Sequence, residues 1–96
     1  MKRLDLIFSE RELSQVLEAL NACNVPGYSV MKHVTGRGAS AGSAVSEDME
    51  FTGLGANAHV IVFCNENLID QIREKINPVL NYYGGVAYLS EASPLN

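Results

Sequence analysis

The sequence predicts a single α+β domain in which two helices pack on one face of a four-stranded antiparallel sheet. Three observations predict it. Several short apolar runs have the length of strands, two segments repeat apolar residues at helical spacing, and one long segment rich in Gly, Ala and Ser separates two strand candidates. We assign residues 1–96 to one domain, because a chain of this length forms one domain and not two.

The first strand and the first helix are predicted at the start of the chain. Leu4, Leu6 and Phe8 occupy alternate positions, as expected of a strand with one buried face. Ser9 and Glu12 have the spacing of a capping box, in which the Ser9 hydroxyl accepts a hydrogen bond from the backbone N–H of Glu12. The apolar stripe of the helix that follows comprises Leu13, Val16, Leu17 and Leu20.

The two central strands are predicted at Tyr28–Val34 and Ala56–Cys64, on either side of the long segment Thr35–Gly55. The mixed pattern of Tyr28–Val34 favours a half-exposed or interfacial face. Ala56–Cys64 contains four consecutive apolar residues, which is typical of a strand covered on both faces. A segment as long as Thr35–Gly55 is uncommon in a small domain, where such a length indicates either a binding loop or disorder.

The second helix is predicted to begin after Asn65, a suitable N-cap residue. Pro78 disfavours helical geometry at Asn77 and therefore predicts the end of the helix there. Asn81–Gly85 is then predicted as a glycine-bearing turn, and Val86–Leu89 as a last short strand. The apolar stripe of the second helix comprises Leu68, Ile69, Ile72 and Ile76.

The predicted order of elements is strand, helix, strand, long loop, strand, helix, strand. This is the ferredoxin-like (βαββαβ) arrangement, with both helices on one face of the sheet. The other face is then bare unless something covers it. Because exposed apolar faces are typical of association surfaces, the sequence also predicts a homo-oligomer.

Composition excludes several classes of function. The net charge of −4 and the pI of about 5.0 argue against nucleic acid as the main partner, because phosphate backbones are bound by clusters of Lys and Arg. No apolar run reaches the roughly 20 residues of a membrane span, so we expect membrane contact only through a partner. Cys23 and Cys64 belong to no paired motif, and we expect two buried thiols in a cytoplasmic protein.

The best candidate for ligand binding is the base of the long segment, which consists of Thr35, Gly36, Arg37 and Gly38. Gly36 and Gly38 can adopt positive φ, so that successive backbone N–H groups turn toward one anion. Arg37 can add a charge-assisted contact to a phosphate or a carboxylate. The pair Gly84–Gly85 supports this site only if a neighbouring subunit brings it face to face with the first corner. Because G-x-G alone is a weak motif, a plain connection and a plain turn remain the alternatives.

Catalysis and metal binding are less well supported. Neither cysteine has a local catalytic motif around it, so we do not expect an enzyme. His33 and His59 could meet across paired strands and begin a metal site, but no third ligand follows at a recognisable spacing. A metal-responsive protein that uses these two histidines and a loop carboxylate remains an alternative, and so does a slow nucleotide hydrolase.

The whole chain resembles the PII signal-transduction superfamily. The resemblance rests on GYSVMKHVTGRG at the second strand, on the long segment after it, and on NYYGGVAYLSEA near the end. These motifs are most similar to those of PII-like proteins of inorganic-carbon handling. That group includes the carboxysome-associated PII proteins and the regulators of a bicarbonate transporter.

The resemblance implies a homotrimer whose sheets face the centre and whose clefts between subunits bind adenine nucleotides. Residues 37–55 would form the T-loop and residues 81–85 the B-loop. Bicarbonate beside the nucleotide is also implied, as is a target protein that is a bicarbonate transporter or a carboxysome component. The implied nucleotide-binding residues are Thr35, Gly36, Arg37 and Gly38 at the T-loop base, Tyr83, Gly84 and Gly85 in the B-loop, and Glu91 at the C-terminal side of the cleft.

Two departures from the family pattern narrow this expectation. No tyrosine lies between Thr35 and Gly55, whereas the T-loop of nitrogen-sensing PII proteins carries one that is uridylylated. The basic B-loop with its lysine is absent, since Val86 and Ala87 follow Gly85 directly. Fewer cations favour one or two phosphates, so we expect AMP or ADP as the ligand and not ATP. The expected role is that of a non-enzymatic sensor that regulates its partner through the T-loop.

Overall fold

A computed structural model describes residues 1–35 and 56–96. In these residues a short 3-10 turn precedes each of the two α-helices. The strands are β1 (Lys2–Ser9), β2 (Ser29–Val34), β3 (Asn57–Cys64) and β4 (Val86–Glu91). The helices are α1 (Leu13–Ala22) and α2 (Ile69–Tyr83), and the 3-10 turns are Glu10–Glu12 and Glu66–Leu68.

The four strands form one antiparallel sheet in the order β2-β3-β1-β4. Alternate side chains of β1 and β3 point to the helices, because successive residues of a strand face opposite sides of the sheet. This confirms the predicted ferredoxin-like fold. The core comprises Leu4, Leu6 and Phe8 of β1, Ala58, Val60, Val62 and Cys64 of β3, Val16 and Leu20 of α1 with Cys23 after it, and Ile69, Ile72, Ile76 and Leu80 of α2.

The side of the sheet that faces away from both helices carries a mixture of apolar and charged side chains. We call it the open face. Three of its large apolar residues are exposed in the single chain: Met31 is 41%, Phe63 is 44% and Tyr88 is 63% accessible. By register, the open face comprises Arg3, Asp5, Ile7, Ser29, Met31, His59, Ile61, Phe63, Val86, Tyr88 and Ser90.

The end of α2 differs from the prediction. The sequence predicts a stop at Asn77, but the helix passes through Pro78 and continues to Tyr83. Ile76 and Leu80, on either side of the proline, are both buried in the core, whereas Pro78 itself is exposed. Burial of this apolar stripe outweighs the loss of one backbone hydrogen bond at the proline, because most helix stability in proteins comes from tertiary packing.

The start of each helix also differs in detail. The Ser9 hydroxyl accepts from the backbone N–H of Arg11 at 3.3 Å, and not from that of Glu12, because the first turn is a 3-10 turn. Asn65 occupies the predicted N-cap position, but its side chain makes no capping hydrogen bond there. Its backbone carbonyl instead accepts from the N–H of Leu68 at 3.1 Å.

Two expectations from composition can be compared with the structure. Cys23 and Cys64 are free and buried, as predicted, and burial raises the pKa of both thiols. Within residues 1–35 and 56–96, no helix has the length and apolar character needed to cross a membrane.

Candidate functional site

The predicted ligand-binding corners lie at one end of the sheet, where β1 and β2 finish and β3 and β4 begin. Ser9 and Val34 each pair with Asn57, and Ile7 pairs with Val86, so the register brings these strand ends together. We call this the loop-root end of the sheet. It comprises the terminal residues of the four strands, Ser9, Val34, Asn57 and Val86.

The first corner begins at Thr35, which follows β2 and is exposed. Gly36, Arg37 and Gly38, the other predicted residues of this corner, lie outside the described residues. The structure therefore places the first residue of the corner at the loop-root end, and the roles of the other three stay predictions.

The second corner consists of Gly84 and Gly85 and is shorter than the predicted turn, because the helix continues to Tyr83. Gly84 has φ 93° and Gly85 has φ 133°, a region that favours glycine. The Gly84 N–H donates to the Leu80 carbonyl at 2.8 Å and ends the helix. A Cβ on Gly85 would lie 2.9 Å from Leu80 Cδ2 and 3.0 Å from the Ile7 carbonyl oxygen. Close packing against β1 therefore requires glycine at this position, whatever it binds.

Tyr83, the third predicted residue of this corner, is held by a contact to α1. Its hydroxyl accepts from Gln15 Nε2 at 3.4 Å, and its ring packs edge-on against that of Tyr82 with centroids 4.7 Å apart. Tyr82 is 81% exposed. Two aromatic rings, one hydrogen-bonded to α1 and one largely exposed, thus lie beside the two glycines.

The two corners lie at opposite edges of the same sheet. β2 and β4 are the edge strands, and three strand spacings separate them. At about 4.8 Å for each spacing, the corners of one chain are roughly 14 Å apart. Because this is too far for both to hold the same phosphate group, one phosphate can contact both corners only if two chains contribute to the site.

Glu91, the remaining predicted site residue, lies at the other end of the sheet. It pairs with Lys2 in the strand register, and its carboxylate forms an ion pair with the Lys2 ammonium group. The hydrogen bond from Lys2 lowers the pKa of this exposed carboxyl group below its usual value. Within one chain Glu91 therefore does not join the other predicted residues, and its role in a cleft stays a prediction that needs a neighbouring chain.

Glu10 is a residue that the sequence pattern does not single out. Its carboxylate Oε2 accepts from the backbone N–H of His33 at 3.0 Å and lies 3.1 Å from His33 Nδ1. Its own backbone N–H donates to the Ala56 carbonyl at 2.9 Å. Glu10 thus contacts the chain on both sides of the long segment, and only strand pairing, which is not visible locally in the sequence, brings these parts together.

The two histidines do not form a common site. In the register His59 lies opposite Met31, and His33 lies in the irregular stretch between Met31 and Val34. Each imidazole contacts a different carboxylate, since His59 Nε2 is 2.8 Å from Asp5 Oδ1. Among the residues that the structure describes, no group of three or more His, Cys, Asp or Glu side chains is arranged to hold a metal ion.

A hydrogen-bonded network occupies the middle of the open face. Arg3 binds Asp5 with two hydrogen bonds of 3.0 Å, and His59 approaches the same carboxylate. The hydrogen bond from Arg3 is the largest cause that lowers the pKa of Asp5 below its usual value, and the contact with His59 adds to it. Arg3 also lies over the Phe63 ring, 5.8 Å from its centroid. The network keeps charge on a face that is otherwise largely apolar.

An apolar groove of about 260 Å³ lies between α2 and β4, on the helix side of the sheet. Its lining includes Leu4, Ile72, Arg73 and Leu89, and none of the predicted site residues. A phosphate needs several donors in one place, and this lining is dominated by aliphatic side chains. The groove is therefore not a candidate for the anion site.

Known proteins and solved structures show what the chain is similar to. No curated protein matches it in sequence. Two similar solved structures are those of CPII from Thiomonas intermedia K12, a nitrogen regulatory PII-like protein. One is bound to ADP, AMP and bicarbonate (20% identity, TM-score 0.74, 93% of this chain and 82% of that chain covered), and the other is the apo form (19%, 0.71, 93% and 85%).

A third structure of CPII from the same organism is bound to ADP, AMP and acetate, with 22% identity, a TM-score of 0.72 and coverage of 92% of this chain and 81% of that one. At these identities the structures support the fold alone. The sequence itself matches the family model of the nitrogen regulatory protein P-II over residues 1–95. The chain therefore belongs to the P-II family.

Proposed function

We propose that this P-II family chain is a non-enzymatic signalling protein that binds ADP or AMP at clefts between the subunits of a homotrimer. Bicarbonate is the proposed second ligand. The T-loop, about residues 37–55, would then regulate a partner in inorganic-carbon metabolism, either a bicarbonate transporter or a carboxysome component. Such a protein acts by population shift, so the ligand must bind one state of the loop better than the other.

The observation that carries the proposal is the position of the two corners. This chain belongs to the P-II family, and its Thr35 and the pair Gly84–Gly85 lie at the same end of the sheet but at opposite edges. A ring of chains that sets the β2 edge of one subunit beside the β4 edge of the next brings one corner of each together. Solved structures of CPII, which has a similar fold, contain ADP, AMP and bicarbonate, and this supports the same class of ligand here.

The open face supports assembly of the chain. Met31, Phe63 and Tyr88 expose apolar surface on the side of the sheet that no helix covers. Burial of such surface contributes about 25 cal/mol for each Å² removed from water. A trimer with its sheets turned to the centre covers this face, and it is the assembly that the family resemblance implies.

The donors at the first corner support an anionic ligand. Thr35 is exposed at the root of the segment, and Gly36, Arg37 and Gly38 follow it in sequence. Two backbone N–H groups and one guanidinium group match a ligand that carries one or two phosphates.

Isothermal titration calorimetry with ADP and AMP tests the proposal. We expect both nucleotides to bind, and Arg37→Ala to weaken binding by about 1.5–3 kcal/mol, the usual contribution of a hydrogen bond to a charged group. Lys32→Ala is the matched control, because it removes an exposed cation from the neighbouring strand β2. Unchanged affinity in Arg37→Ala would remove this residue from the site, and absence of binding to the wild type would reject the nucleotide.

A thermal-shift experiment tests the second ligand. A ligand that binds only the native state raises the melting temperature. We expect bicarbonate to add to the shift that ADP or AMP produces, with chloride at equal ionic strength as the control. The absence of any additional shift would exclude bicarbonate.

A further inference from the structure

Glu10 connects the two ends of the interval between β2 and β3. Its carboxylate accepts the backbone N–H of His33, and its backbone N–H donates to the carbonyl of Ala56, which precedes β3. Glu10 is itself fixed in place, because it follows the last residue of β1 and opens the 3-10 turn. Glu10 therefore makes hydrogen bonds both to the end of β2 and to the residue that precedes β3.

His33, the residue that Glu10 holds, has a disfavoured backbone conformation. Its φ is 60°, in the left-handed region, which a residue with a Cβ adopts only at a cost. The register of β2 against β3 is shifted between Met31 and Val34, as in a β-bulge. Bulges redirect the strand in which they occur. The conformation of His33 therefore sets the direction in which the chain leaves β2 at Thr35.

The backbone hydrogen bond is the important part of the contact between Glu10 and His33. The His33 side chain is 81% exposed, so its contact with the Glu10 carboxylate is screened by water and contributes little. The bond from the His33 N–H to the carboxylate, by contrast, is made by the backbone while His33 has the left-handed conformation. An acceptor oxygen at position 10 is therefore sufficient, whether or not it carries a charge.

We propose that Glu10 is a positioning residue for the nucleotide site. By holding His33 in the left-handed conformation, it directs Thr35 toward the ligand. This inference rests on the proposed function, since it assumes that the ligand lies at the loop-root end of the sheet. It adds a residue that touches no ligand and that the family resemblance does not supply.

Calorimetry with ADP on five variants tests this role. Glu10→Ala is expected to weaken ADP binding about tenfold, which corresponds to about 1.4 kcal/mol. Glu10→Gln retains an acceptor oxygen and is expected to restore most of the affinity. Glu18→Ala, which removes the same charge from an exposed position of α1, is the control and is expected to leave binding unchanged.

The other two variants, His33→Gly alone and His33→Gly combined with Glu10→Ala, separate positioning from a general effect on the fold. Glycine adopts positive φ without the steric cost that other residues pay. In a His33→Gly background, Glu10→Ala is therefore expected to change ADP affinity by less than in the wild type. A double-mutant cycle measures this coupling between the two positions.

Amide hydrogen exchange at His33 distinguishes the failure of this inference from the failure of the proposed function. We expect faster exchange in Glu10→Ala than in Glu18→Ala. If the wild type binds ADP and Glu10→Ala binds it equally well, the positioning role is wrong and the nucleotide site stands. If the wild type binds no ADP, the proposed function is wrong, and the positioning role is wrong as well. The exchange rate then reports only whether the hydrogen bond between Glu10 and the His33 N–H exists.

Discussion

At the scale of single residues, Gly85 is the position where the fold tolerates change least. Its φ is 133°, and a Cβ at this position would lie within 3.0 Å of three atoms, so the packing leaves no room for a methyl group. We expect Gly85→Ala to lower the free energy of unfolding by about 2–4 kcal/mol, the sum of backbone strain and overpacking. Chemical denaturation measures this loss.

Gly27→Ala is the matched control for that measurement. A Cβ at Gly27 meets no atom within 4 Å, and this glycine does not have positive φ. The substitution is expected to change stability by no more than about 1 kcal/mol, and in the stabilising direction, because alanine restricts the unfolded chain. Equal effects of the two substitutions would mean that Gly85 is not constrained by packing.

Asp5 is one residue through which pH acts on stability. Its pKa is lowered in the folded protein, chiefly by the hydrogen bond from Arg3. A lowered folded-state pKa stabilises the fold at pH values above the ordinary carboxyl pKa of about 3.9, and this stabilisation is lost as the pH falls toward the folded-state pKa. We therefore expect stability to decrease below about pH 4, in part because Asp5 takes up a proton.

The free energy of unfolding of Asp5→Asn, measured at a series of pH values and at one protein concentration, tests this assignment. The variant is expected to be less stable than the wild type near neutral pH and to lose less stability on acidification. Asp70→Asn is the control, since that carboxylate is almost fully exposed beside Arg73 on α2. An Asp5→Asn profile parallel to that of the wild type would contradict the assignment.

At the scale of the elements, α2 contains an internal proline, and burial of the apolar stripe of the helix outweighs the tendency of this proline to end it. Pro78 is exposed and makes no contribution to the core. Pro78→Ala restores a backbone N–H and removes the clash of the ring, and the gain is partly offset because proline restricts the unfolded chain. We expect stability to rise by about 1–2 kcal/mol, measured by denaturation with Asn77→Ala as the control. A loss of stability would show that the helix depends on its proline.

The same helix shows how far local sequence rules reach. The alternation in β1 and the apolar run in β3 predict strands because each pattern depends only on residues of the strand itself. The end of α2 could not be predicted from Pro78, because the outcome depends on the burial of Leu80 against a distant part of the chain. A rule that considers only sequence neighbours, such as the effect of Pro78 on Asn77, does not include the free energy of burying Leu80.

The candidate site also has parts that the sequence predicts and parts that it does not. The glycines at positions 84 and 85 are visible in the sequence, and the structure places them in a corner with positive φ. The contact between Glu10 and His33 could not be predicted, because it joins residues 23 positions apart through strand pairing. The separation of the two corners follows from the strand order of the predicted fold and not from any local motif.

At the scale of the whole molecule, the open face supports the association that the separation of the two corners requires. Phe63→Asp places a charge among the exposed apolar residues of that face and is expected to produce monomers, detected by sedimentation velocity. Gln71→Asp adds the same charge to an exposed position of α2 and is expected to leave the assembly intact. A Phe63→Asp variant that remains assembled would place the interface elsewhere.

The most direct test of the central claim is a crystal structure of the protein with ADP. The account predicts three chains around one axis, with each ADP between Thr35 and the residues that follow it in one chain and Tyr83, Gly84 and Gly85 of the next. Nucleotide density that contacts only one chain, or a protein that crystallises with ADP as a monomer, would contradict it.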